Sequence, residues 1–192
     1  MWWAQMLNNQ AALLGGGAPP AVGDFESIAS ATGTGSSGVI TFSSIPSTYT
    51  HLQIRGIMRN TNGTTNEETC LITMNSDAGS NYATHRLVGN GSTAYAQAYT
   101  SGTAIAPYLN PSANLLASSY GAIVVDVLDY ASTSKNKTIR LLGGTDYNGS
   151  GNVALVSGVW LNNTTAISSI TLTSGAGSWT TDSKFALYGI KG

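Results

Sequence analysis

The chain reads as an all-β protein, an antiparallel β-sandwich of jelly-roll type preceded by a short N-terminal helical anchor peptide. Three observations predict this. Beyond the first two dozen residues the apolar side chains recur with a period of two, the alternation of a half-buried strand. The strand-like runs follow one another closely, separated by clusters of Gly, Asn, Asp and Ser with no clear helical interruption. Charged residues make up only 9% of the 192, against roughly 25% in an ordinary globular domain. Ser, Thr, Asn and Gly dominate the polar remainder, the makeup of a β-rich surface decorated with hydroxyls and amides.

Residues 1–14 stand apart as an uncharged apolar peptide. Trp3, Met6, Leu7, Gln10 and Leu14 fall at helical spacing, Trp2 and Leu13 widen the stripe, and Gln5, Asn8 and Asn9 lie opposite. One helix of this length is marginal alone. It lacks the basic start of a secretory signal and is too short to span a bilayer. The economical reading is a docking peptide that places Trp2, Trp3, Met6, Leu7, Leu13 and Leu14 against a partner. Packing back on its own domain and membrane contact are the alternatives. Residues 15–23, with Gly15-Gly16-Gly17-Ala18-Pro19-Pro20, form a Gly/Pro linker, and residues 24–192 form the sandwich domain.

Within that domain the first run, 25–30, ends before Gly33-Thr34-Gly35-Ser36-Ser37-Gly38, and 39–43 follows. The run 51–59 puts Leu52, Ile54, Gly56 and Met58 on one side. His51, Gln53, Arg55 and Arg59 take the other, with Ile57 the one apolar exception. In 69–74, Cys70, Ile72 and Met74 share a face, which predicts a buried packing cysteine, and Asn75-Ser76-Asp77-Ala78-Gly79 closes the run. After 82–88 comes a less regular stretch, 92–121, read as a long functional or mobile loop region carrying Tyr95, Tyr99, Tyr108 and Tyr120. The run 122–130 is apolar on both faces except at Asp126. The run 138–142 leads to Asn148-Gly149-Ser150-Gly151 and then to 153–161, where Val153, Leu155, Val159 and Leu161 oppose Ala154, Val156 and Trp160. Strands apolar on both faces predict a central position or a contact with another subunit. The runs 167–173 and 185–190, with Ser174-Gly175-Ala176-Gly177 between them, complete the set.

Few residues carry chemistry. The net charge of −1 and the lack of any basic run exclude the electrostatic footprint of a nucleic-acid binder. A single cysteine removes intrachain disulfides and multi-cysteine metal sites. His51 and His85 occupy separate runs outside any metal-ligand spacing, and read as solvated or interface histidines. No nucleophile elbow, phosphate-cradling loop or zinc spacing occurs. Glu67 and Glu68 are adjacent, so on a strand they point to opposite faces. Asp77, Asp146 and Asp182 lie in turns, where aspartate ordinarily bonds its own backbone; a calcium site made by converging loops is the alternative. The expectation is a protein that is not an enzyme, without cofactor or metal. Any recognition would use aromatic platforms for sugar rings or protein, and Tyr95, Tyr99, Tyr108, Tyr147 and Trp179 are the candidates.

Three stretches together resemble a module common in the virions of tailed bacteriophages. They are Asp24-Phe25-Glu26-Ser27-Ile28-Ala29-Ser30, Ser44-Ile45-Pro46-Ser47-Thr48-Tyr49-Thr50-His51-Leu52-Gln53-Ile54-Arg55-Gly56, and Phe185-Ala186-Leu187-Tyr188-Gly189-Ile190-Lys191-Gly192. The resemblance covers most of 24–192. It implies a virion structural protein, made in the host cytoplasm, with a β-sandwich body in homotrimers. That protein would be a short fibre subunit anchored by its N-terminal peptide to a tail adaptor, baseplate or capsid, and in contact with host polysaccharide. A capsid decoration or cement protein and a carbohydrate-binding module are the alternatives. The family brings no catalytic residues to this sequence.

Overall fold

The computed structural model describes residues 23–192. The docking-peptide residues Trp2, Trp3, Met6, Leu7, Leu13 and Leu14, and all but the last residue of the linker, lie outside the described residues. The rest is all-β and antiparallel, in twelve strands: β1 (Phe25–Thr32), β2 (Val39–Phe42), β3 (His51–Met58), β4 (Glu67–Met74), β5 (Tyr82–Gly89), β6 (Ala94–Gly102), β7 (Tyr108–Pro111), β8 (Gly121–Leu128), β9 (Lys137–Asp146), β10 (Gly151–Trp160), β11 (Ile170–Ser174) and β12 (Lys184–Ile190). Eight form a large sheet in the order β1-β12-β3-β8-β9-β10-β5-β6, and four form a small sheet, β2-β11-β4-β7.

Period-two patterning explains the packing. Leu52, Ile54 and Met58 of β3, Ile123, Val125 and Val127 of β8, and Phe185 and Leu187 of β12 face inward from the large sheet. They join Ile40 and Phe42 of β2, Cys70, Ile72 and Met74 of β4, and Ile170 and Leu172 of β11 in one buried cluster. Full burial of each such aliphatic chain contributes on the order of 1.5–3 kcal/mol. Cys70 is one of these packing groups: it is free and buried, and desolvation pushes its thiol up to about 12. Gly189 of β12 leaves room for the Tyr49 ring, whose atoms lie 2.4 Å from where a Cβ would stand. The Tyr49 hydroxyl then donates to Glu26 at 2.8 Å, tying the loop before β3 to β1.

Two expectations need correction here. The stretch 92–121 is not one long loop: β6 extends the large sheet beyond β5, and β7 pairs with β4 in the small sheet. Arg59 is not on the wet face of β3. The strand ends at Met58, the alternation stops with it, and Arg59 turns inward to 7% exposure. There its guanidinium donates to the carbonyl oxygens of Leu115, Leu116 and Ser119 at 3.0, 2.8 and 2.6 Å, holding the loop ahead of β8.

Candidate functional site

Strand order brings two hairpin turns to the same end of the large sheet. β10 lies between β9 and β5, and its start pairs with the end of β5 through Val153 and Gly89. The β9–β10 turn, with Tyr147 N–H donating to Ser150 O at 3.0 Å, therefore stands beside the β5–β6 turn, closed by Asn90 N–H to Thr93 O at 3.1 Å. Asn148 and Gly149 have φ of 66° and 90°, the left-handed pair that a tight primed hairpin turn requires. Between the turns lies a groove of about 480 Å³ lined by Asn90, Ser92, Tyr147, Ser150 and Asn152 together with three glycines.

A carboxylate anchors one wall. Glu67, at the start of β4, is 6% exposed and accepts a hydrogen bond from Asn152 Nδ2. Burial raises its pKa, against the opposing pull of hydrogen bonds from Asn152 and Tyr147. Glu67 thus fixes two residues that line the groove. The lining offers amide and hydroxyl donors and acceptors with one tyrosine, a set that suits polyhydroxylated ligands and needs no proton transfer.

The structure distributes the sequence candidates unevenly. Tyr147 lines the groove and is half-buried. Tyr95 and Tyr99 are exposed at 38% and 42% on the edge strand β6 and do not line the groove. Tyr108 lies on β7 in the other sheet, and its side chain is outside the described set. Trp179 is a correction: it is fully buried, with its ring edge-on to Phe185 at 5.2 Å between centroids, so it presents no platform to a sugar. Its backbone also bridges Asn60 and donates to Ser37 O at 2.9 Å, which locks the surrounding Gly/Ser turn inward. Asn90, Ser92, Asn152 and Glu67 are site residues the sequence reading missed. The Asn-Gly pairs at 90–91 and 148–149 mark two turns, and only the strand order shows that they are neighbours.

His51 and the turn aspartates have structural partners. His51 Nδ1 accepts from Asp129 N–H at 3.0 Å. Asp146 caps its own turn through Asn148 N–H at 2.9 Å. Asp77 does the same with Gly79 N–H at 2.8 Å and also receives the indole N–H of Trp160 at 2.7 Å. Among the described residues no group of three or more His, Cys, Asp or Glu is placed to hold a metal ion, and no helix is long and apolar enough to cross a membrane.

The outer face of the large sheet is the second notable surface. Register places Val124, Leu142, Leu155, Leu87 and Ala96 side by side across β8, β9, β10, β5 and β6. Leu142, Leu155 and Leu87 are 55%, 51% and 53% exposed, and Val153 and Ile57 flank them. No protein-family model, curated protein or solved structure matches the chain. The likeness to the phage virion module accordingly rests on the three sequence stretches alone.

Proposed function

We propose that this chain is a virion structural protein, a short appendage subunit joined to its particle through the peptide of residues 1–14. In this reading copies of the sandwich meet over the outer face of the large sheet in a closed homo-oligomer. The aliphatic row from Val124 to Leu87 is the observation that supports it most directly. A free-standing sandwich usually hydrates such a face, whereas a subunit of an assembly covers it. The jelly-roll reading belongs here too, supported by the chain passing between sheets at each step from β1 to β5 and again from β10 to β12.

An antibody raised against residues 24–192 should label one location on intact phage particles. Particles assembled with a chain lacking residues 1–14 should lose the label while the soluble domain stays folded. Unlabelled wild-type particles would refute the virion reading, and label retained after the deletion would refute the anchor. Label spread over the shell would select the decoration alternative.

The groove favours carbohydrate as the ligand of the exposed end. Its lining is mostly amide, hydroxyl and backbone, and Tyr147 supplies a ring face. Tyr147→Ala and Asn152→Ala should each reduce retention on immobilised host polysaccharide at least fivefold while leaving the circular dichroism spectrum unchanged. Retention equal to wild type in both variants would remove the groove from recognition.

A further inference from the structure

We infer that β6 is a self-pairing edge that joins two copies of this chain about a two-fold axis through Gln97. The argument starts from the four strands that end the two sheets. β2 and β7 have four residues each. β1 carries Glu26 and a register shift between Ser27 and Ala29. Short length, charge and bulges are the means by which natural edges avoid pairing with another chain. β6 has none of them along Ala94–Tyr99: it contains no charged residue and no proline, and its register shift falls at the far end, between the pairs Tyr82–Gly102 and Thr84–Tyr99. Every residue from Ala94 to Ser101 is exposed, and among the described residues Arg86 is the side chain that bonds to this strand, at Gln97 and Tyr99.

The sequence of the strand names the occupant. Tyr95-Ala96-Gln97-Ala98-Tyr99 reads the same in both directions. When two antiparallel copies meet with Gln97 opposite the partner's Gln97, Ala96 faces the partner's Ala98 and Tyr95 faces the partner's Tyr99. Small residues meet small ones and rings meet rings on every rung, and aromatic cross-strand pairs are among the favourable ones. The same two-fold operation repeats each pair, as an isologous interface requires. Gln97 and Tyr99 are already set for this: Arg86 donates to the Gln97 side-chain oxygen and to Tyr99 Oη, and lies 5.1 Å from the centre of the Tyr99 ring. On the opposite face, Ala96 continues the aliphatic row that runs through Leu87, so pairing doubles the large sheet and extends its outer face into the second copy.

This pairing does not depend on the virion reading, and a chain that pairs through β6 yet labels no particle would separate the two. The test uses the full chain, whose own thiol, Cys70, is buried and inert. Directly opposed residues have Cβ atoms about 4.5 to 5.5 Å apart, a small adjustment from disulfide geometry. Gln97→Cys should therefore give a covalent dimer on mild oxidation. Ala94→Cys should not, because its register partner is Thr100 and its own copy lies about 20 Å away, at roughly 3.3 Å per residue. Sedimentation equilibrium should show the wild-type chain in a multiple of two, and Gln97→Lys, which opposes two ammonium groups, should weaken association at least tenfold. A stable monomer at micromolar concentration, a trimer, or equal crosslinking of both cysteine variants would overturn the proposal.

Discussion

Trp160→Ala should lower the unfolding free energy by about 4 kcal/mol, since removing a fully buried tryptophan costs roughly 3–5 kcal/mol. Trp160 is 1% exposed at the end of β10, between Lys137 of β9 and Tyr82 of β5 in cross-strand register. Its ring lies under the buried Lys137 ammonium, 5.8 Å from the centroid, while Lys137 donates to the carbonyl oxygens of Lys135 and Asn162 at 2.9 and 3.0 Å. Desolvation already lowers the Lys137 pKa, so losing the ring leaves a poorly compensated charge above a cavity. Trp160→Phe keeps most of the volume and loses only the N–H bond to Asp77, about 1 to 2 kcal/mol for a bond to a partly exposed carboxylate.

The phenylalanine variant carries a pH signature. Asp77 is held below the ordinary carboxylate range, first by the Trp160 indole, then by Asn81 and Gly79. A depressed folded pKa gives stability that is present above the unfolded value, near 3.9, and is lost as pH falls through the folded value. The gap in urea midpoint between wild type and Trp160→Phe should therefore be widest near neutrality and shrink toward pH 3. A gap that is constant with pH would mean that the Asp77–Trp160 bond is not what the variant removes.

The elements legible in the sequence were those with contrast between their faces. β3 alternates Leu52, Ile54 and Met58 with His51, Gln53 and Arg55, and β4 sets Cys70, Ile72 and Met74 on one side, so strand and burial follow together from the period. β6 has no such contrast, because alanine alternates with tyrosine and glutamine and both faces are exposed. β7 is short, ends in Pro111, and exists through long-range pairing with β4. Trp179 misleads for the opposite reason: a tryptophan in a Gly/Ser turn looks like a surface platform, but tertiary contacts with Phe185 and the Asn60 backbone take it inside. The groove was illegible because its walls come from two turns far apart in sequence. The positions of Asn90 and Tyr147 relative to each other follow only from β10 pairing with both β9 and β5.

Arg59→Met should lower stability by about 3 kcal/mol and selectively open the loop before β8. A buried cation normally finds a carboxylate, yet carbonyl oxygens take the charge of Arg59: Leu115 O through Nη2, and Leu116 O and Ser119 O through Nη1, with Ser119 Oγ at 3.3 Å. Leu116 O also accepts from Ser119 N–H at 3.2 Å and from Ser119 Oγ at 2.8 Å, but Leu115 O and Ser119 O lie in a segment without ladder bonds, so the guanidinium fork supplies the partners that a strand would give them. Leaving a buried polar group without its partner costs roughly 1–3 kcal/mol. Part of that is recovered when the loop swings its carbonyls to water, which is why the expected total stays near the cost of one or two groups. Lysine cannot replace the fork, since one ammonium on a flexible stem lacks the two spaced nitrogens that serve these three oxygens; Arg59→Lys should recover less than half of the loss. Thermal unfolding of the methionine variant should fall by about 6 to 12 °C, at roughly 2–4 °C per kcal/mol for a domain of this size. Hydrogen exchange should accelerate most over residues 112–120, while the amides of β3, anchored separately by the ladders to β8 and β12, keep their protection. Unchanged exchange in 112–120 would show that packing, not Arg59, holds that loop.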